Sequence, residues 1–81
     1  MKYDYEGNIV EAIKFTKDNS DEIIKMVGRQ KAYLDCFNKL IVKTIGREIT
    51  MSKDWYVIKD DKKRITISTP LFFEKNFIKM E

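Results

Sequence analysis

Two stretches in succession carry a strand-turn-strand pattern, "LIVKTIGREITM" (Leu40 to Met51) and "WYVIKDDKKRITIS" (Trp55 to Ser68). β-Branched residues flank Gly46 in the first, and the polar "DDKK" divides the second. Such runs fit a pleated, half-buried surface, and short turn segments between them fold them back as antiparallel hairpins. In the second hairpin, alternation turns Ile65 and Ile67 inward and Arg64, Thr66 and Ser68 outward. The pattern predicts an antiparallel meander onto which the rest of the chain must pack. With 81 residues the chain makes one domain, residues 1–81. A domain of that size buries only about 60–65% of its unfolded surface, so its apolar side chains are needed for a single thin core, leaving little room for an enclosed active site.

The flanking segments supply the remaining elements. "NIVEAIKFT" alternates as a strand, with Ile9, Glu11, Ile13 and Phe15 on one face and Val10, Ala12 and Lys14 on the other. "NSDEIIKMVG" reads as a two-turn helix with Asn19 as N-cap, Glu22 completing a capping box, Asp21 in the first turn and Gly28 as the stop. Its stripe of Ile23, Ile24 and Val27 must lie on a sheet, because so short a helix does not persist alone in water. "RQKAYLDCFNK" either extends that helix or forms a strand from Tyr33 to Phe37 with Asn38 turning. At the other end, Thr69 can cap and Pro70 fits the first helical position of "PLFFEKNF". Phe73 and Phe77, flanked by Leu71, Phe72 and Ile78, then seal the sheet as a lid, with Glu74 and Lys75 in solvent. The expected fold is α+β: a small antiparallel sheet of four to five strands, one short helix after the first strand and a short C-terminal helical turn.

Composition bounds the chemistry. The single cysteine, Cys36, excludes an intrachain disulfide and a cysteine-rich zinc cage, and reads as a small buried hydrophobe. The chain has no histidine, so it lacks the side chain most used for acid-base work near neutral pH. These absences argue against an enzyme, and no cofactor or metal motif is read. The formal charge of +3, from 16 basic and 13 acidic residues of interspersed sign, is too mild to require nucleic acid as partner. No apolar run is long enough to cross a bilayer, and "MKYDYEGN" lacks the apolar core of a signal peptide, so the expectation is a cytoplasmic protein with no membrane partner.

Three groups of side chains are candidates for binding a partner. Trp55 and Tyr56, beside Lys53 and Lys59, are either an exposed aromatic anchor with a basic rim or packing residues with one ring in the core. Lys62, Lys63 and Arg64 place three cations on the hairpin turn after Asp60 and Asp61, where a solvated turn is the simpler reading. Tyr3 and Tyr5, among acids, could meet a basic protein partner or form an edge strand or frayed terminus. Self-association is a further expectation. If "LIVKTI" is an edge, Leu40 to Ile45 can pair with a second copy as a homodimer; if it is central, the chain can stay monomeric.

The order of these elements and several of their residues resemble short phage and prophage proteins of the PGDYG type. Their pattern opens with E-A-x-x-W-T-x-D-N, matched here by Glu11, Ala12, Thr16, Asp18 and Asn19, with Phe15 in place of the tryptophan. It closes with P-G-D-Y-I-I-K-G, matched by Tyr56, Val57, Ile58 and Lys59, and with K-P-x-I-F-E-K-x-Y, matched by Pro70, Phe72, Phe73, Glu74, Lys75 and Phe77. "SKDW" (Ser52 to Trp55) replaces the Pro-Gly-Asp turn, and Thr69 replaces the lysine before Pro70. The resemblance implies a phage accessory protein in a bacterial cytoplasm, without catalytic residues to transfer. The expected function is therefore a non-enzymatic binding protein that inhibits a host macromolecule, such as a CRISPR effector or another defence component. The alternatives are a protein that sequesters a nucleotide signal and a weak nucleic-acid-binding accessory protein.

Overall fold

Strand β2 (Asn8–Lys14) is apolar on both faces, and a strand of that kind needs a covering layer on each side. In the computed structural model, which describes residues 2–80, Val10 and Ala12 are buried on one face, and on the other Ile13 packs against the core while Ile9 stays exposed. β2 is the middle strand of a five-stranded antiparallel sheet of order β7-β6-β2-β1-β8. The other strands of that sheet are β1 (Lys2–Tyr5), β6 (Tyr56–Lys59), β7 (Ile65–Ser68) and β8 (Ile78–Lys79). A second, three-stranded antiparallel sheet has the order β3-β4-β5, from Ala32–Leu34, Leu40–Thr44 and Arg47–Thr50. Helix α1 (Ser20–Val27) joins the two sheets, and α2 (Pro70–Asn76) precedes β8. No helix among the described residues is long and apolar enough to cross a membrane.

Each face of the large sheet has its own core. On one, Phe15, Val57 and Ile65 meet Ile23 of α1, Ala32, Leu40 and Val42 of the small sheet, and Met51 just after β5. On the other, Val10, Ala12, Tyr56 and Ile58 lie under Phe73 of α2. Phe73 stacks on Tyr56 with ring centroids 3.7 Å apart and on Phe77 at 4.3 Å, while Tyr3 meets it edge-on at 4.7 Å. The expected aromatic lid is present, but only its inner side seals. Leu71, Phe72 and Ile78 are exposed, and Phe77 is half-buried.

Both expected hairpins form, with Thr44 opposite Arg47 and Lys59 opposite Ile65. They do not make one meander, because β6 pairs with β2 rather than with β5. The chain crosses between sheets through Ser52–Trp55, where the Phe15 N–H donates to the Trp55 carbonyl at 2.8 Å and the Asp54 N–H to the Phe15 carbonyl at 2.7 Å. Strand β4 lies between β3 and β5, so both its hydrogen-bonding edges are filled. The pairing of Leu40 to Ile45 with a second copy is thereby excluded, and burial of Leu40 and Val42 accounts for the apolarity of that run.

Several local expectations are corrected. Ser68 is buried rather than outward. Cys36 is exposed, because the strand in its segment ends at Leu34 and Asp35 to Lys39 form the turn, with Asn38 at φ 61°. Asn19 does not cap α1 through its side chain, so the capping box is absent. Its Oδ1 instead accepts from the Thr16 N–H at 2.9 Å and its Nδ2 donates to the Lys14 carbonyl at 2.7 Å. The side chain thus serves the polar groups of the β2–α1 loop, in which Lys17 stands at φ 74°. Thr69 likewise makes no side-chain cap, although Pro70 starts α2 as expected. The "YDYEGN" segment is an interior hairpin: Glu6 and Gly7 both have positive φ, 51° and 85°, the combination that a type I′ turn requires.

Candidate functional site

A strongly cationic concavity lies between two hairpin tips. It encloses about 420 Å³ and is lined by Lys31, Lys43, Lys62, Lys63 and Arg64 around Thr44, Ile45 and Ile65. Gly46 (φ 72°) closes the β4–β5 turn, while Ile45 has no positive φ, so the turn is not of type I′ and the Ile45 side chain stands 84% exposed. On the facing tip, Asp60 organises the β6–β7 turn. Its Oδ1 accepts from the Arg64 N–H at 2.8 Å and the Lys62 N–H at 2.9 Å, and its Oδ2 from Arg64 Nε at 2.8 Å. The Arg64 N–H foremost, with the Arg64 side chain and the Lys62 N–H, holds the Asp60 carboxyl below the usual aspartate value. Lys31 enters from the segment before β3, where its carbonyl accepts from the Lys43 N–H at 2.6 Å.

The five cations are not equivalent. Arg64 is tied to Asp60, and Lys43 lies 3.9 Å from Glu48 and 5.8 Å from the centre of the Tyr33 ring. Lys31, Lys62 and Lys63 have no ion-pair partner among the described residues. Three hydrated ammonium groups beside an apolar tip suit carboxylates or phosphates presented from outside. Among the described residues no group of three His, Cys, Asp or Glu side chains converges as metal ligands would.

The remaining predicted residues are dispersed. Tyr3 and Tyr56 are held by Phe73, and Tyr5 stacks on Phe77 at 4.4 Å. Burial, with Glu74 nearby, raises the Tyr56 hydroxyl above its ordinary value. Trp55 packs against the core between the sheets, so Trp55 and Tyr56 together are not an exposed aromatic anchor. Lys59 Nζ donates to the Met26 carbonyl at 3.2 Å, at the C-terminal end of α1, where a cation is favoured. Lys53 lines a different groove at the far end of β4. Of the nine candidates, the hairpin-tip groove gathers Lys62, Lys63 and Arg64. Lys31 and Lys43 were not among them, and no spacing in the chain links these residues to the second hairpin; only the crossing from β5 to β6 brings them together. Compared with protein-family models, with characterised proteins and with solved structures, the chain matches none.

Proposed function

We propose that this chain is a non-enzymatic binding protein of phage or prophage origin. It works in the bacterial cytoplasm and inhibits a host protein, a defence component such as a CRISPR effector, by covering an acidic surface. The observation that carries the reading is the hairpin-tip groove: Lys31, Lys62 and Lys63 without ion-pair partners among the described residues, beside the exposed Ile45, with the β6–β7 turn fixed by the hydrogen bonds to Asp60. Apolar anchors ringed by charge are what protein interfaces use, and the charge mainly sets encounter rate and partner choice. The PGDYG-type residues at both ends of the chain support the origin. The test is capture from a defence-bearing bacterial lysate together with a defence assay in cells. The wild type should capture a defence component and suppress interference, and Lys62→Glu with Lys63→Glu should lose both while keeping the fold. Intact defence and no capture by the wild type would overturn the proposal.

A second reading has its own observation: five cations around about 420 Å³ also suit a nucleotide signal. Thermal shift against a nucleotide panel separates the two, since only a sequestering protein gains stability from a free nucleotide.

A further inference from the structure

At the opposite end of β4, where Leu40 rather than Thr44 faces the opening, a second groove of about 520 Å³ has a different character. Its floor is made by Phe15, Leu40 and Met51, all core residues. Its walls carry Lys17, Lys39 and Lys53 and no carboxylate. None of these three lysines has an ion-pair partner among the described residues. Beside them the Phe37 ring projects into solvent, 78% exposed.

The backbone holds Phe37 out. The Asp35 carboxylate accepts from the Phe37 N–H at 2.8 Å and the Lys39 N–H at 2.9 Å, while Asn38 sits in the left-handed region. Lys17, at φ 74°, lines the same opening from the β2–α1 loop. Left-handed backbone is uncommon for a lysine, so its occurrence beside Asn38 in one groove is an observation that calls for a use. A solvated phenyl ring gains nothing for the fold, and three like charges around it repel one another. A ligand with flat faces and regularly spaced negative charges relieves both.

We propose that this groove binds single-stranded nucleic acid, with a base stacked on Phe37 and phosphates on Lys17, Lys39 and Lys53. The inference does not rest on the hairpin-tip groove and stands whatever that groove takes. An acidic protein segment would satisfy the lysines but leave the ring without its natural partner, and a duplex would keep its bases out of reach of the ring.

The experiment is fluorescence anisotropy with a fluorescein-labelled oligothymidylate of about twelve nucleotides, a length within single-strand site sizes. Three phosphate contacts give a salt slope of about −2, or roughly a 20-fold weakening between about 50 and 200 mM salt. Phe37→Ala should weaken binding by about 5- to 150-fold, the range for removing one base-stacking ring, while Phe37→Tyr should keep it. Lys39→Gln should flatten the slope by about 0.7. Because these side chains are exposed, the melting temperatures of the variants should match the wild type. Lys62→Glu with Lys63→Glu, in the other groove, should change binding far less than Lys39→Glu with Lys53→Glu. No binding at low salt, Phe37→Ala binding like wild type, or displacement of the oligonucleotide by polyglutamate as readily as by unlabelled oligothymidylate would each overturn the proposal.

Discussion

Phe73→Ala removes the centre of the second core. The ring is 2% exposed, stacks on Tyr56 and Phe77, meets Tyr3 edge-on, and covers Val10, Ala12 and Ile58. Truncating a buried phenylalanine costs about 3–5 kcal/mol, the lost transfer energy plus the cavity left behind. The upper half applies here, because the sheet beneath is fixed by β1 and β6 on both sides of β2 and cannot collapse into the void. A domain of this length holds about 4–12 kcal/mol at typical stability per residue, so the variant sits at the margin of folding. In urea, with a slope of about 1.5 kcal/mol/M, the midpoint should fall by roughly 3 M, and in a thermal scan the melting temperature should fall by more than about 16 °C. Leu71→Ala, two residues away in α2 but 84% exposed, should stay within about 0.5 kcal/mol of the wild type. Phe77→Ala should fall between the two, since its ring is half-buried. If Phe73→Ala melted with the wild type, α2 would not be covering the sheet, and the aromatic stack would have to be an interaction surface instead of a core.

Two further outcomes follow from the turns. The folded Asp60 carboxyl titrates below its usual 3.8, so its contribution is present above that value and is lost as pH falls through the lower folded value. In an acid titration followed by NMR, the amide signals of Lys62 and Arg64 should shift below about pH 4, and Asp60→Asn should remove that acid-dependent step; an unchanged step would show that another carboxylate governs the turn. Gly46→Ala should cost about 1–2 kcal/mol in urea denaturation: a Cβ there meets nothing within 4 Å, so the whole penalty is the left-handed φ of 72°. A neutral substitution would mean that the turn can adopt another form.

What was legible in the chain was local. The two hairpins, the α1 stripe, the Gly28 stop and the Pro70 start each rest on a few adjacent residues whose backbone preferences agree, and all appear. The first hairpin is hard to read because its alternating pair, Tyr3 and Tyr5, lies among acids, although Glu6-Gly7 is a usable turn signal. Asn19 shows the limit of capping rules: the same side chain can serve the helix start or the loop before it, and here it bonds the loop's Thr16 N–H and the Lys14 carbonyl. Cys36 shows the limit of composition, since cysteine is usually buried but here follows a strand that stops two residues earlier.

The grooves belong to a different level. Lys31, Lys43, Lys62 and Lys63 lie on elements that no local rule relates, and they converge because β6 leaves the small sheet to pair with β2. The same crossing carries Lys53 to Lys17 and Lys39 at the other end of β4. A five-residue strand at about 3.3 Å per residue separates the two openings by only about 13 Å, roughly one and a half Debye lengths at physiological salt. Two lysine-lined grooves so close reinforce each other's field at low ionic strength and act separately at high salt. A net charge of +3 spread evenly would be unremarkable; the fold gathers it into two openings on either side of one buried strand. An anionic partner engaging one groove would therefore bring its neighbouring charges within range of the other, and charge reversals in the two grooves should add at high salt and couple at low salt.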